Sequence, residues 1–97
     1  TIPNIMHQSV SEEDSYPNPF RDETYYSFKL HKRSLVNLDV MDLYGQKVVS
    51  IYTNKWLDPE KYIERFDPAG KDLPSGVYYF RLNTGDSEKR RKIIYLR

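Results

Sequence analysis

The sequence predicts an all-β domain, an immunoglobulin-like antiparallel β-sandwich of about seven short strands. Three observations support this fold class. Apolar residues recur at every second position in several short runs, clusters of turn-forming residues separate those runs by roughly 8–12 residues, and no stretch has the helical period for long enough to form a stable helix. The 97 residues are enough for one domain with a single core.

The composition limits the classes of function. Lys and Arg number 15 against 14 for Asp and Glu, and this balance argues against a nucleic-acid-binding domain with a basic face. Cysteine is absent, which excludes a disulfide scaffold, a zinc–thiolate site and a cysteine nucleophile. The chain has no membrane-spanning apolar run, no initial Met and no signal peptide, so we expect it to be a piece of a larger protein.

The N-terminal residues lack a period. We predict that residues 1–15 form a linker, flexible or loosely docked, because residues 9–14 are polar and acidic. Pro17 and Pro19 then stiffen residues 16–20, since each proline fixes its own φ and favours extended geometry in the residue before it. We expect an irregular edge strand or polyproline-like segment there, and a folded domain over residues 16–97.

Six runs after the prolines have the period of a strand. In the first, Tyr26, Phe28 and Leu30 alternate with Tyr25, Ser27 and Lys29. The predicted strands cover residues 24–30, 36–41, 48–52, 62–66, 77–82 and 88–96. Their inward faces predict a core that includes Phe28, Leu38, Val40, Tyr78, Phe80 and Leu82.

Turn chemistry separates these strands. Residues 42–46 predict a tight turn in which Gly45 is free to adopt positive φ, residues 67–76 predict a long loop, and residues 83–86 predict a second turn. Only residues 58–61 suggest a helix, with Asp58 as a cap and Pro59 at the first position, and one turn at most.

Side chains for catalysis are missing from the sequence. His7 and His31 are too few and too far apart for a triad or a metal site, and a solvated turn is the preferred interpretation of His31. There is no glycine-rich phosphate loop, no Gly-x-Ser-x-Gly elbow and no His-Glu-x-x-His. We therefore predict no catalytic residue, no metal site and no cofactor, and expect that the protein is not an enzyme.

Two features leave a binding role open. Trp56 lies in a predicted loop between Tyr52 and Tyr62, where it could form a carbohydrate platform, but we prefer a plug that caps the open end of the sandwich. The basic run at residues 89–92 suggests either an anionic partner or a sheet edge protected by charge, and composition favours the protected edge.

Four stretches together resemble a known family. They contain the Pro-Asn-Pro-Phe motif with the strand that follows it, the Asp-Leu-x-Gly hairpin, the Ser-Gly-Val-Tyr strand and a terminal Lys-aliphatic strand. The stretches cover residues 16–30, 40–48, 74–82 and 91–97. In this order they resemble the type A C-terminal sorting domain of the type IX (Por) secretion system, over residues 16–97.

The resemblance implies a non-catalytic export signal with an N-terminally fused cargo protein. An outer-membrane shuttle protein would read the domain, and a cell-surface sortase would remove it by cutting in or near residues 1–15. The cargo would travel through the periplasm to the surface or medium of a Gram-negative bacterium, and the isolated domain would be monomeric. The sorting-signal residues implied by the resemblance are Pro17, Asn18, Pro19, Gly76, Tyr78, Lys92 and Arg97.

Residues 76–97 are expected to carry most of the signal. Their terminal strand would offer free backbone groups to the shuttle protein, because main-chain pairing depends little on the cargo sequence. Residues 67–75 resemble equally the immunoglobulin-like domain of flagellar hook-capping proteins, which is a structural module. A structural spacer or a carbohydrate-binding accessory module of a secreted enzyme therefore stays open as an alternative.

Overall fold

Seven strands form two antiparallel sheets in the computed structural model, which describes residues 9–97. The strands are β1 (Val10–Tyr16), β2 (Thr24–Leu30), β3 (Ser34–Asp42), β4 (Lys47–Leu57), β5 (Lys61–Phe66), β6 (Gly76–Asn83) and β7 (Glu88–Tyr95). The order is β1-β2-β5 in the smaller sheet and β4-β3-β6-β7 in the larger one. This arrangement confirms the predicted immunoglobulin-like sandwich.

The first strand corrects the prediction of a linker over residues 1–15. Residues 10–15 belong to β1, which pairs with β2 from Val10 opposite Leu30 to Tyr16 opposite Tyr25. A bulge at Glu12, where φ is 51°, interrupts the register and hides the period of two. The inward position after the bulge is occupied by Glu13 instead of an apolar residue. Residues 1–8 of the predicted linker, with His7, lie outside the described residues.

The core lies between the inward faces of both sheets and is rich in stacked rings. Phe80 of β6 lies with its ring centroid 4.8 Å from that of Tyr26 in β2, and it meets Phe66 of β5 edge-on at 6.3 Å. The predicted core residues are all buried: Phe28, Leu38, Val40, Tyr78, Phe80 and Leu82. The period of two therefore identified the inward faces of β2, β3 and β6 correctly.

Polar side chains close the two open sides of the sandwich. On one side, the Arg91 guanidinium of β7 donates to the backbone carbonyl of Glu13 in β1 and lies 3.8 Å from its carboxylate. On the other side, the Tyr52 hydroxyl of β4 donates to the Glu64 carboxylate of β5. Burial raises the pKa of the Glu64 carboxyl. Burial also raises the pKa of the Tyr26 hydroxyl, and the nearby Glu13 carboxylate adds to that rise. Each pair joins an edge strand of one sheet to an edge strand of the other.

The connections agree with the turn chemistry, with one exception. In the β3–β4 turn, the Asp42 carboxylate accepts the backbone N–H groups of Tyr44 and Gln46, and Gly45 has a φ of 83°. The predicted helical turn at residues 58–61 is wrong. Because β4 continues to Leu57 and β5 begins at Lys61, the intervening residues form only a bend.

Replacing Phe80 with Ala should lower the free energy of unfolding by about 3–5 kcal/mol, because a fully buried ring leaves a cavity and two broken ring contacts. For a domain of this size the melting temperature should fall by roughly 12 °C or more. The matched control is Ile63→Ala. Because Ile63 is 62% exposed, this variant should melt within a few degrees of the parent. A Phe80→Ala melt as close to the parent as the control would refute the assigned inward face.

Candidate functional site

One end of the sandwich collects most of the sequence motifs. Residues 17–23, the 42–46 turn, the 67–75 loop and residues 96–97 meet there, as the registers Tyr16 opposite Tyr25 and Gly76 opposite Tyr95 require. We name this surface the motif end. The described chain starts at the other end, where Val10 pairs with Leu30. A partner at the motif end would therefore approach from the side opposite the N-terminus of β1.

The proline segment, residues 16–20, lies along the outer edge of β7 through the side chain of Asn18. The Asn18 amide nitrogen donates to the Lys92 carbonyl at 2.9 Å, and its oxygen accepts the Ile94 N–H at 2.9 Å. These bonds have the donor–acceptor pattern of a peptide group in a ladder. Asn18 therefore acts as a substitute for a strand residue beside β7.

Phe20 continues this pairing with its own backbone. Its N–H donates to the Ile94 carbonyl at 2.9 Å, and its carbonyl accepts the Leu96 N–H at 2.8 Å, which gives a parallel bridge beside Tyr95. The Phe20 ring is 2% exposed and stacks on the Tyr95 ring at 5.2 Å. The expected irregular segment is thus tied to the terminal strand by both hydrogen bonds and packing.

The two prolines on either side of Asn18 make no hydrogen bond to β7 among the described residues. Pro17 offers its carbonyl to the Thr24 hydroxyl at 2.6 Å, and both Pro17 and Pro19 line an open groove with Tyr25 and Leu96. The peptide bonds that precede Pro17 and Pro19 are both cis.

Gly76 and Tyr78 support the same end from the other side of β7. Gly76 pairs with Tyr95 at a φ of 151°, a conformation that side chains rarely adopt, although a Cβ would meet nothing within 4 Å. A glycine is therefore required here by the positive φ and not by the close approach of another part of the chain. The Tyr78 ring is buried, and its hydroxyl donates to the Pro74 carbonyl at 2.7 Å.

Arg97 connects the chain's last residue to the 67–75 loop. Its N–H donates to the Ser75 hydroxyl at 2.8 Å, and its guanidinium lies 3.2 Å from the Leu73 carbonyl and 3.1 Å from the Asp72 carboxylate. Lys92 contributes its backbone carbonyl to Asn18, whereas its side chain is exposed on the outer face of the large sheet. The structure therefore brings the predicted signal residues around one strand, β7.

The terminal strand differs from the expectation of free backbone groups. Asn18 and Phe20 take up the outward groups from the Lys92 carbonyl to the Leu96 N–H. Pairing alternates along an antiparallel strand, so the outward groups in the other half belong to Glu88, Arg90 and the Lys92 N–H. Within residues 9–97 these have no hydrogen-bond partner, and only this half of the edge is open.

The motif end has exposed apolar side chains that were not predicted from the sequence. Leu43 is 59% exposed and Tyr44 is 86% exposed, both in the β3–β4 turn. A cleft of about 280 Å³ separates this turn from residues 73–78. A signal for these residues was present, because large apolar side chains in a tight turn point away from the core that the flanking strands enclose.

Trp56 corrects the prediction of a plug. It lies in β4 opposite Leu35, is 57% exposed, and has the Arg33 guanidinium 5.5 Å from its ring centroid. The strand is longer than predicted, so the alternation places Leu57 inside, at 7% exposure, and Trp56 on the outer face. Leu57 fills the position that was assigned to the tryptophan.

The remaining candidates contribute no site chemistry. His31 is exposed after β2, where its Nε2 lies 2.6 Å from the Ser11 hydroxyl. Among the residues that the structure describes, no group of His, Cys, Asp and Glu side chains could hold a metal ion. In the same part of the chain, no helix is long and apolar enough to cross a membrane.

Comparison with protein families matches residues 14–96 to the family described as the secretion system C-terminal sorting domain. The match begins inside β1 and reaches past the end of β7, so it covers nearly the whole sandwich. A comparison with curated protein sequences gives no significant match.

Replacing Asn18 with Ala should speed amide hydrogen exchange at Ile94 by about tenfold or more, because the only acceptor for that N–H is removed. The Ile93 amide faces β6 and should keep its protection. Lys92→Ala is the matched control, since it removes an exposed side chain and keeps the backbone carbonyl that Asn18 binds. Equal protection of Ile94 in the parent and the Asn18→Ala variant would mean that Asn18 does not pair with β7 in solution.

Proposed function

Since the chain belongs to the family of secretion system C-terminal sorting domains, we propose that it is the non-catalytic signal read by an outer-membrane shuttle protein during type IX secretion. A type IX sorting signal directs its protein to the cell surface or the extracellular space. The finer route, through the periplasm of a Gram-negative bacterium with removal of the domain by a cell-surface sortase, is part of the proposal.

The observation that carries the proposal is the convergence of the motifs at one end. The proline segment, Gly76 and Arg97 are far apart in sequence yet meet around the C-terminal half of β7. The 42–46 turn lies at the same end, across a cleft from residues 73–78. Core formation alone does not require exposed residues such as Tyr44 and Arg97 at that end. A surface shared by unrelated cargos would use such residues, because it must be independent of the cargo at the opposite end.

The signal residues divide into two physical roles under this proposal. Asn18, Gly76 and Tyr78 hold the backbone in place, since they bond β7, supply a positive φ and support the loop before β6. Pro19, Lys92 and Arg97 are exposed and would contact the shuttle protein directly. Pro17 contributes to the groove that Pro19 lines.

The strand β1 removes residues 10–15 from the cleavage region that the sequence suggested, residues 1–15. A protease needs an extended, accessible backbone. The backbone from Val10 to Tyr16 is paired with β2, so we place the cut N-terminal to Val10, within residues 1–8 or upstream in the cargo.

A carbohydrate-binding module is the second candidate, favoured by the exposed ring of Trp56. Arg33 already covers part of this ring, and no other large exposed aromatic side chain lies at that end of the described sandwich. We expect that plain polysaccharides do not bind in titration calorimetry. Saturable binding that Trp56→Ala abolishes would replace the sorting role with this one.

A reporter fused to residues 1–97 should be exported by a cell with type IX secretion, and removal of Leu96 and Arg97 should reduce export at least about tenfold. The deletion releases the Leu96 bond to Phe20 and the Arg97 bonds to Leu73 and Ser75. Export is measured as the reporter fraction outside the outer membrane.

Two point variants control for folding in this assay. Arg97→Ala and Lys92→Ala alter exposed side chains and should keep the parent's melting temperature within a few degrees. Reduced export of either folded variant supports recognition at this end. Full export of the deletion and of both variants would favour the structural spacer.

A further inference from the structure

The outer edge of β7 is divided sharply into a closed and an open half. The closed half, from the Lys92 carbonyl to Leu96, is covered by the proline segment. The open edge, from Glu88 to the Lys92 N–H, presents its N–H and C=O groups outward with no partner within residues 9–97. Such groups are a template for the pairing of another strand.

Other edge strands in the structure are less suited to such pairing. β1 has the bulge at Glu12, and β4 pairs with β3 through several register shifts, which twist an edge away from a partner. β5 is regular over six residues, but its charges, Lys61, Glu64 and Arg65, are mixed in sign and would not select an acidic partner. In contrast, β7 pairs with β6 over eight consecutive residues without a shift. Its open edge is therefore straight where an added strand would have to lie.

The charges beside the open edge select the chemistry of a partner. Arg90 is neutralised by Glu88 at 3.3 Å, and Arg91 by Glu13 at 3.8 Å. Lys89 and Lys92 have no carboxylate partner among residues 9–97. A second copy of the chain would bring its own basic run against this one, and like charges on neighbouring strands are destabilising. An acidic strand would instead neutralise Lys92, which lies on the outer face of β7 with Arg90.

We propose that the open edge of β7 (residues 88–92) is a strand-addition site for an extended, acidic protein segment, which pairs through its backbone with Arg90 and the Lys92 N–H. The added strand would extend the large sheet beyond β7, and its acidic side chains would lie beside Arg90 and Lys92 on the outer face. This site is separate from the motif end, and the proposal does not depend on the sorting role.

The probe is a capped heptapeptide of alternating valine and glutamate, titrated into the ¹⁵N-labelled domain. We expect the amide signals of Arg90 and Lys92 to shift with the titration and to gain protection from hydrogen exchange. Binding should weaken severalfold between low and high salt, because the pairing is partly electrostatic. A peptide with lysine in place of glutamate is the charge control and should not bind.

Two substitutions at one position separate backbone pairing from charge. Arg90→Ala removes the guanidinium but keeps the outward N–H, whereas Arg90→Pro removes both and is compatible with an edge strand whose N–H faces solvent. We expect Arg90→Pro to bind the valine–glutamate peptide about tenfold more weakly than Arg90→Ala does. The proline variant loses the backbone hydrogen bond from residue 90 to the peptide and disturbs the backbone beside it.

The outcomes decide between three results. Equal binding of the acidic peptide by the two variants would show a charged patch without strand addition. Binding of the lysine peptide would show pairing without charge selection. Either result overturns the proposal as stated. If Arg90→Pro fails to fold, the exchange protection of Arg90 and Lys92 in the parent decides. No gain of protection on peptide addition would overturn the proposal.

Discussion

The pairing of the proline segment with the edge of β7 is the constraint on which the rest of the motif end depends. Without it, the last strand would be held from one side only, by β6. Asn18 and Phe20 supply the missing side over the C-terminal half of β7. The bonds of Arg97 to the 67–75 loop then follow from where that strand is held. A small set of hydrogen bonds at an exposed edge thus determines where Pro19, Lys92 and Arg97 lie.

The same constraint explains why the two sheets stay aligned at their open sides. The chain leaves the smaller sheet after Tyr16 and reaches the larger sheet at Phe20, so it ties β1 to β7 at one end. Arg91 and Glu13 join the same two strands farther along, and Tyr52 and Glu64 join the opposite side. Charged groups at these half-buried positions are stabilising only while both partners are present, because removal of one leaves the other desolvated.

Particular residues show which parts of the fold were predictable from local patterns. Phe28, Val40 and Phe80 were placed in the core correctly, since the period of two puts each of them on the apolar face of its strand. β1 was missed because the bulge at Glu12 and the inward Glu13 remove that period. Trp56 was misplaced because it was assigned to a loop after residue 52, whereas β4 pairs with β3 as far as Leu57 and places the ring on the outer face.

The sequence by itself determined the fold class, the family and the identity of the motif residues, because these depend on alternation, turn residues and ordered local motifs. Only the tertiary structure decided which half of β7 is open, that Asn18 takes the place of a strand residue, and that the motifs share one end. Those properties arise from contacts between residues up to 76 positions apart. A local sequence pattern contains no information about which of two exposed edges a distant segment will cover, since that choice depends on the packing of the completed sandwich.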